Sequence, residues 1–249
     1  MARGLNKVAL IGTVSRDPEM RFTSGGKPFT SFSLDISRNW TTLSGEYHEE
    51  TECFDVVTWG HLADTCKARL DRGYRIFVGG RLELHSWEDS LGQKQYRSEV
   101  VANQVLVLSE IPDQADAWET TPEESETDAS NAAPIGLNNI MIIGNLGRDP
   151  EMRFTPNGRP VTSFVLATSR SWSLPEGGRR EATEWFNVVT WGNLAKICDR
   201  YLRRGSRVYI EGRIQTHQRE NSEGEQYRRL EVVAEEMIRL DRRASSDAT

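Results

Sequence analysis

The sequence predicts an all-β chain: two tandem five-stranded Greek-key barrels, each with one short helix between its third and fourth strands. Three observations predict it. The octet "RDPEMRFT" occupies Arg16–Thr23 and returns 132 positions later at Arg148–Thr155. Residues 5–40 align without gaps to residues 137–172, and the same offset holds through "ECFDVVTWG" against "EWFNVVTWG" and "SEVVA" against "LEVVA". Within each copy, short β-branched and aromatic runs alternate with turn residues and are interrupted by one stretch of helical spacing. Two copies are too few for a solenoid, so each must bury its own core.

The elements follow in order. "NKVALIGTV" reads as a first strand ending at Gly12 and Thr13. "DPEMRF" then reads as a Pro-initiated turn, with Phe22 and Phe154 as inward anchors. In "FTSFSLDIS" the residues Thr30, Phe32, Leu34 and Ile36 alternate with Phe29, Ser31, Ser33 and Asp35, a period of two with one apolar face. "CFDVVTW" is the third strand. "HLADTCKARLDRG" places Leu62, Cys66 and Leu70 near helical spacing and stops at Gly73. "YRIFVGGRLEL" resumes strand, a hairpin tip falls around Gly92, and "SEVVANQVLVL" closes the copy. Three strands, a helix and two strands is the order of an OB-fold, which offers one sheet face to ligands. The second copy reads alike, with "NLAKICDRYLRRG" as its helix. The expected domains are residues 1–109 and 137–240, joined by 110–136 and followed by a short disordered tail at 241–249.

Charge separates along the same lines. The net charge is −6, yet residues 1–109 hold 13 Lys and Arg against 14 Asp and Glu, and residues 137–249 hold 18 against 15. Residues 110–136 carry eight acids and no base, so the sign of the whole chain comes from that segment and says nothing about the barrels. With almost no apolar content it reads as a flexible acidic tether able to compete for basic grooves, and its Trp118 as a linker residue. A hydrophobic content of 37% fits globular modules, and no run of about 18 apolar residues predicts a membrane span. No signal-peptide pattern opens the chain. Three cysteines, Cys53, Cys66 and Cys198, lack CxxC spacing and read as reduced, mostly buried thiols of a cytoplasmic protein.

No catalytic signature emerges. His48, His61, His85 and His217 share no metal-ligand spacing, and no HExxH, GxSxG or P-loop occurs, so neither enzyme, metal nor cofactor is expected. The pairs Asp17/Glu19 and Glu49/Glu50 read as solvated loop charge. The aromatics are more telling. Of seven tryptophans, six fall in the copies: Trp40, Trp59, Trp87, Trp172, Trp185 and Trp191. Trp40 and Trp172 end the second strand beside charge, in "SRNW" and "SRSW", and Trp87 lies between His85 and Glu88, none of them a core setting. Indoles near Arg38, Arg72, Arg170 and Arg204 suit base stacking with cations on phosphates, or packing against a neighbouring chain. The side taken by Trp59 and Trp191 depends on whether a bulge interrupts "VVTWG".

Taken together, "RGLNKVALIGTVSRDPEMRF", "SFSLDISRNW", "YRIFVGGRLELHSW" and their partners in the second copy resemble the bacterial and mitochondrial single-stranded DNA-binding protein family. The tandem arrangement is similar to its Deinococcus–Thermus type. The resemblance implies sequence-independent binding of single strands in replication, repair and recombination. It places base-stacking aromatics at Trp40, Cys53, Trp59 and Trp87, and at Trp172, Trp185, Trp191 and Arg219. Cys53 and Arg219 depart from that pattern, so each copy lacks a different platform. Either divided labour along one path or drift accounts for this. Basic positions implied are Arg3, Arg21, Arg72, Arg153 and Arg204, with Arg219 able to stack or hold phosphate. Lys7 and Arg97 join by location only.

Partners implied are single-stranded DNA, a second chain giving a homodimer of four OB-folds, and replication and repair proteins, with no membrane. Family members usually end in an acidic tip with a terminal Pro-Phe, whereas this sequence ends "RLDRRASSDAT". Two other readings stay open: a replication-restart OB protein that binds mainly proteins, and an RNA-binding barrel.

Overall fold

A computed structural model describes residues 4–42, 45–88, 94–109, 136–173, 177–220 and 226–241; the side chains at 86, 94–96, 173, 218–220 and 226–229 are not among the parts described. Arg3, the Arg219 side chain, the tip at Gly92, Trp118, the tether short of Gly136 and the tail beyond Asp241 lie outside them.

The first copy runs β1 (Leu5–Phe22), β2 (Pro28–Thr41), β3 (Tyr47–Trp59), α1 (His61–Arg69), β4 (Arg75–Glu88) and β5 (Lys94–Ser109). Its strands follow the order β2-β3-β5-β4-β1, and β1 returns to pair with β2. Antiparallel pairing joins β2 to β3, whereas β3 meets β5 in parallel at Val56–Val100. That is a closed OB-fold barrel with its helix between strands 3 and 4, as the element order predicts.

Closure forces β1 to curve. Register shifts between Val14 and Arg16 and between Arg16 and Glu19 bend it, so one strand continues to Phe22 rather than ending at Gly12 and Thr13. The same shifts break the inside–outside alternation. Phe22 is therefore not an inward anchor: it is 65% exposed, and Phe154 is 62% exposed. Gly12 sits where β1 crosses β2, and a Cβ there would run into the Asp35 carbonyl oxygen.

The second copy comprises β6 (Leu137–Leu146), β7 (Glu151–Phe154), β8 (Pro160–Ser173), β9 (Arg179–Trp191), α2 (Gly192–Tyr201), β10 (Arg207–Glu220) and β11 (Gln226–Arg239). The strand that is continuous in the first copy is here divided into β6 and β7, both paired with β8. The order is otherwise repeated, including the parallel β9–β11 contact at Val188–Val232.

Two cores match at the same offset of 132. Val8, Leu10, Val14, Phe32, Leu34, Phe54, Val56, Ala63, Cys66 and Leu70 are buried. So are Ile140, Ile142, Leu146, Phe164, Leu166, Phe186, Val188, Ala195, Cys198 and Leu202. Each Leu, Ile or Phe so buried contributes about 1.5–3 kcal/mol. The helices are pinned beneath by buried threonines: Thr30 donates to the Ala63 carbonyl at 2.9 Å and Thr162 to the Ala195 carbonyl at 2.9 Å. Both helices begin at a sharp turn that only glycine adopts freely, Gly60 at φ 58° and Gly192 at φ 61°.

Candidate nucleic-acid interface

The outward side of each barrel is set by the pairing of its second and third strands. Residues directly opposite one another across an antiparallel pair point to the same face. In the first barrel Arg21 pairs with Phe29, and Phe29 with Trp59, giving a row of cation, apolar ring and indole. In the second barrel Arg153 pairs with Val161, and Val161 with Trp191, giving the corresponding row. The neighbouring row, through Thr30–Thr58 and Thr162–Thr190, is buried, which fixes the tryptophans as outward. No bulge interrupts "VVTWG" in either copy.

Each of these indoles carries a further cation. Lys27 Nζ lies 5.1 Å from the Trp59 ring, and the Arg159 guanidinium 5.1 Å from the Trp191 ring. Trp59 also rests against Phe29, centroids 5.2 Å apart. Lys27 and Arg159 were passed over in the sequence; the signal was a base in "GGKPF" and "NGRPV" at one shared register.

Trp40 and Trp172 stand at the far ends of β2 and β8, 37% and 38% exposed. The Arg38 guanidinium covers Trp40 at 4.3 Å, with His48 stacked 5.4 Å away at 16°. Arg170 lies 4.6 Å from Trp172 and 3.9 Å from a Glu184 carboxylate oxygen. These rings are accessible but not bare. Trp87 is exposed on β4, and Trp185 is 53% exposed on β9.

The basic residues divide. Arg21 and Arg153 are exposed but bound to carboxylates, Arg21 to Glu19 at 2.8 Å and Arg153 to Glu151 at 3.4 Å. Exposed ion pairs of this kind contribute about 0–1 kcal/mol, so a phosphate can displace the carboxylate at small cost. Arg72 and Arg204 follow the helices, their backbone N–H groups donating to Asp17 and Asp149 at 3.1 and 2.7 Å. Those bonds position the loop and leave both side chains exposed. Lys7 and Arg97 are exposed on β1 and β5. Neither belongs to the paired rows described above.

Cys53 corrects the expectation of a buried thiol, since it lies exposed on β3 at the place of Trp185. Partial burial, then the Asp35 hydrogen bond and charge, push its pKa up from 9.0 to about 11. It is therefore protonated at neutral pH. Cys66 and Cys198 are buried residues of α1 and α2, and burial raises both to about 11.

Comparison with known proteins places this geometry. The model of the single-strand binding protein family matches residues 5–108 and again residues 137–240. The chain is similar to the single-stranded DNA-binding protein of Thermus aquaticus, 33% identical over 244 residues, covering 97% of this chain and 86% of the relative. It also resembles single-stranded DNA-binding protein 1 of Chlorobaculum tepidum, 44% identical over 115 residues, 46% of this chain and 71% of the relative. The crystal structure of the wild-type Thermus aquaticus protein superposes with a TM-score of 0.72 at 28% identity, over 99% of this chain and 98% of that one.

Proposed function

The chain belongs to the single-strand binding protein family, and from that premise we propose that it binds single-stranded DNA without reading its sequence. The observation that carries the reading is the row of cation, apolar residue and outward indole, present at one register in both barrels. Such a row suits an unpaired base lying on the indole with its phosphate against the cation. Stacking accepts any base because every base has a π-face, and each platform contributes about 1–3 kcal/mol. Candidate platforms are Trp40, Trp59 and Trp87 in the first barrel and Trp172, Trp185 and Trp191 in the second. Arg21, Arg72, Arg153 and Arg204, with Lys27 and Arg159, are the candidate phosphate contacts, and binding weakens with salt as counterions are recaptured.

The role in replication, repair and recombination is passive: the strand is covered and protected, and no bond is made or broken. Family resemblance further suggests that two chains pair to place four OB-folds around the strand; a solution mass near 28.2 kDa would refute the pairing. Among the described residues no helix is long and apolar enough to cross a membrane.

Direct competition tests the reading. Oligo-dT should displace a labelled single strand, with duplex DNA competing far more weakly. Oligo-U competing better than oligo-dT would transfer the site to RNA, and equal competition by duplex would refute strand selectivity.

A further inference from the structure

Besides the exchange of Trp87 for Arg219, the outward faces of the two barrels differ around Cys53 and Trp185, and they differ there at several touching positions together. In the second barrel Trp185 lies opposite Ala167 and over Gly147. A Cβ on Gly147 would fall 2.6 Å from Cζ3 of that indole, so a larger residue there would push the ring aside. In the first barrel the positions corresponding to Gly147, Ala167 and Trp185 are Ser15, Asp35 and Cys53. There Ser15 Oγ donates to Asp35 Oδ1 at 2.8 Å, and Cys53 lies directly opposite Asp35 across the β2–β3 pair. Beside them Asp55, where the second barrel has Asn187, pairs with Arg16 at 3.7 Å and accepts from Ser33 Oγ at 3.5 Å. One barrel thus offers an indole seated on glycine and alanine, with Asn187 where the other has Asp55. The other offers two carboxylates joined to small polar groups.

We propose that Gly147 and Ala167 are positioning residues that seat Trp185 as a base platform. The Ser15–Asp35–Cys53 group closes that seat in the first barrel, which therefore cannot offer a platform there. Two physical effects act together. The Ser15 and Asp35 side chains occupy the space an indole would need. The Asp35 and Asp55 carboxylates oppose the approach of phosphate, and Asp55 draws Arg16 to itself. The loss of the indole at Cys53 is then a property of the whole group rather than of one substitution. The inference rests on the single-strand binding reading.

The test uses the full chain with oligo-dT of about 12 nucleotides, within the span of one OB-fold. Trp185→Ala should weaken binding about tenfold, Gly147→Ser should do about the same by displacing the ring, and the two together should lose no more than either alone. In the first barrel Cys53→Trp alone should leave affinity within about twofold. The triple variant Ser15→Gly/Asp35→Ala/Cys53→Trp should gain about tenfold. A Cys53→Trp variant that gains as much as the triple overturns the closed seat. A Gly147→Ser loss that persists undiminished in the Trp185→Ala background overturns the positioning role. Failure of the unsubstituted protein to bind oligo-dT would instead refute the binding reading itself, and the proposal with it.

Discussion

At the residue scale, the chemistry of the outward face depends on which group lies next to which ring. Guanidinium groups lie 4.3 and 4.6 Å from Trp40 and Trp172, a cation on each indole, and that of Arg170 is shared with the Glu184 carboxylate. Cys53 shows the same dependence in the opposite direction. With its pKa near 11, the thiolate that reacts with alkylating reagents is scarce at neutral pH. Iodoacetamide at pH 8 should therefore label Cys53 slower than a free thiol by about two orders of magnitude. The rate should rise with pH until about 11. Asp35→Asn should accelerate it; a rate indifferent to both pH and that substitution contradicts the assignment. The exposure of Trp40, Trp87 and Trp172 could be read from the charged residues around them. That of Phe22 and Phe154 could not, because the shift in register that turns them outward depends on where β1 meets β2.

At the element scale, both copies use one scheme: a first strand, continuous as β1 in one copy and divided into β6 and β7 in the other, then a β-hairpin, a sharp glycine turn into a short helix, and a returning pair. Periodicity revealed the inward face of the second strand, since Thr30, Phe32, Leu34 and Ile36 are all buried, although Ser33 is buried as well. It did not reveal the continuation of β1, because bulges interrupt the period that strand reading relies on. The turn at Gly60 and Gly192 is where sequence and backbone constrain each other most tightly. Gly60 adopts φ 58° and ψ −138°, a conformation that a Cβ strains. Gly60→Ala or Gly192→Ala should each lower stability by about 1–3 kcal/mol, read as a fall in the urea midpoint. An unchanged midpoint would mean the turn relaxes without cost. The fall should appear without loss of any indole from the outward face.

At the scale of the whole molecule, the two copies share their interior and the mostly exposed octet "RDPEMRFT", and differ at other places on the surface. Buried positions keep their character at an offset of 132, down to Cys66 and Cys198 within the two helices and the threonines that pin those helices. The outward positions kept Trp40 with Trp172 and Trp59 with Trp191, but exchanged Trp185 for Cys53. A binding surface spread over both barrels predicts additive losses from sites that share no contact. The most direct measurement is an oligo-dT titration followed by tryptophan fluorescence, comparing the unsubstituted chain with Trp40→Ala, Trp172→Ala and the double variant. Each single change should weaken binding by about 1–3 kcal/mol and reduce quenching, and the double should lose their sum. Unchanged affinity and quenching in all three would contradict base stacking on these indoles.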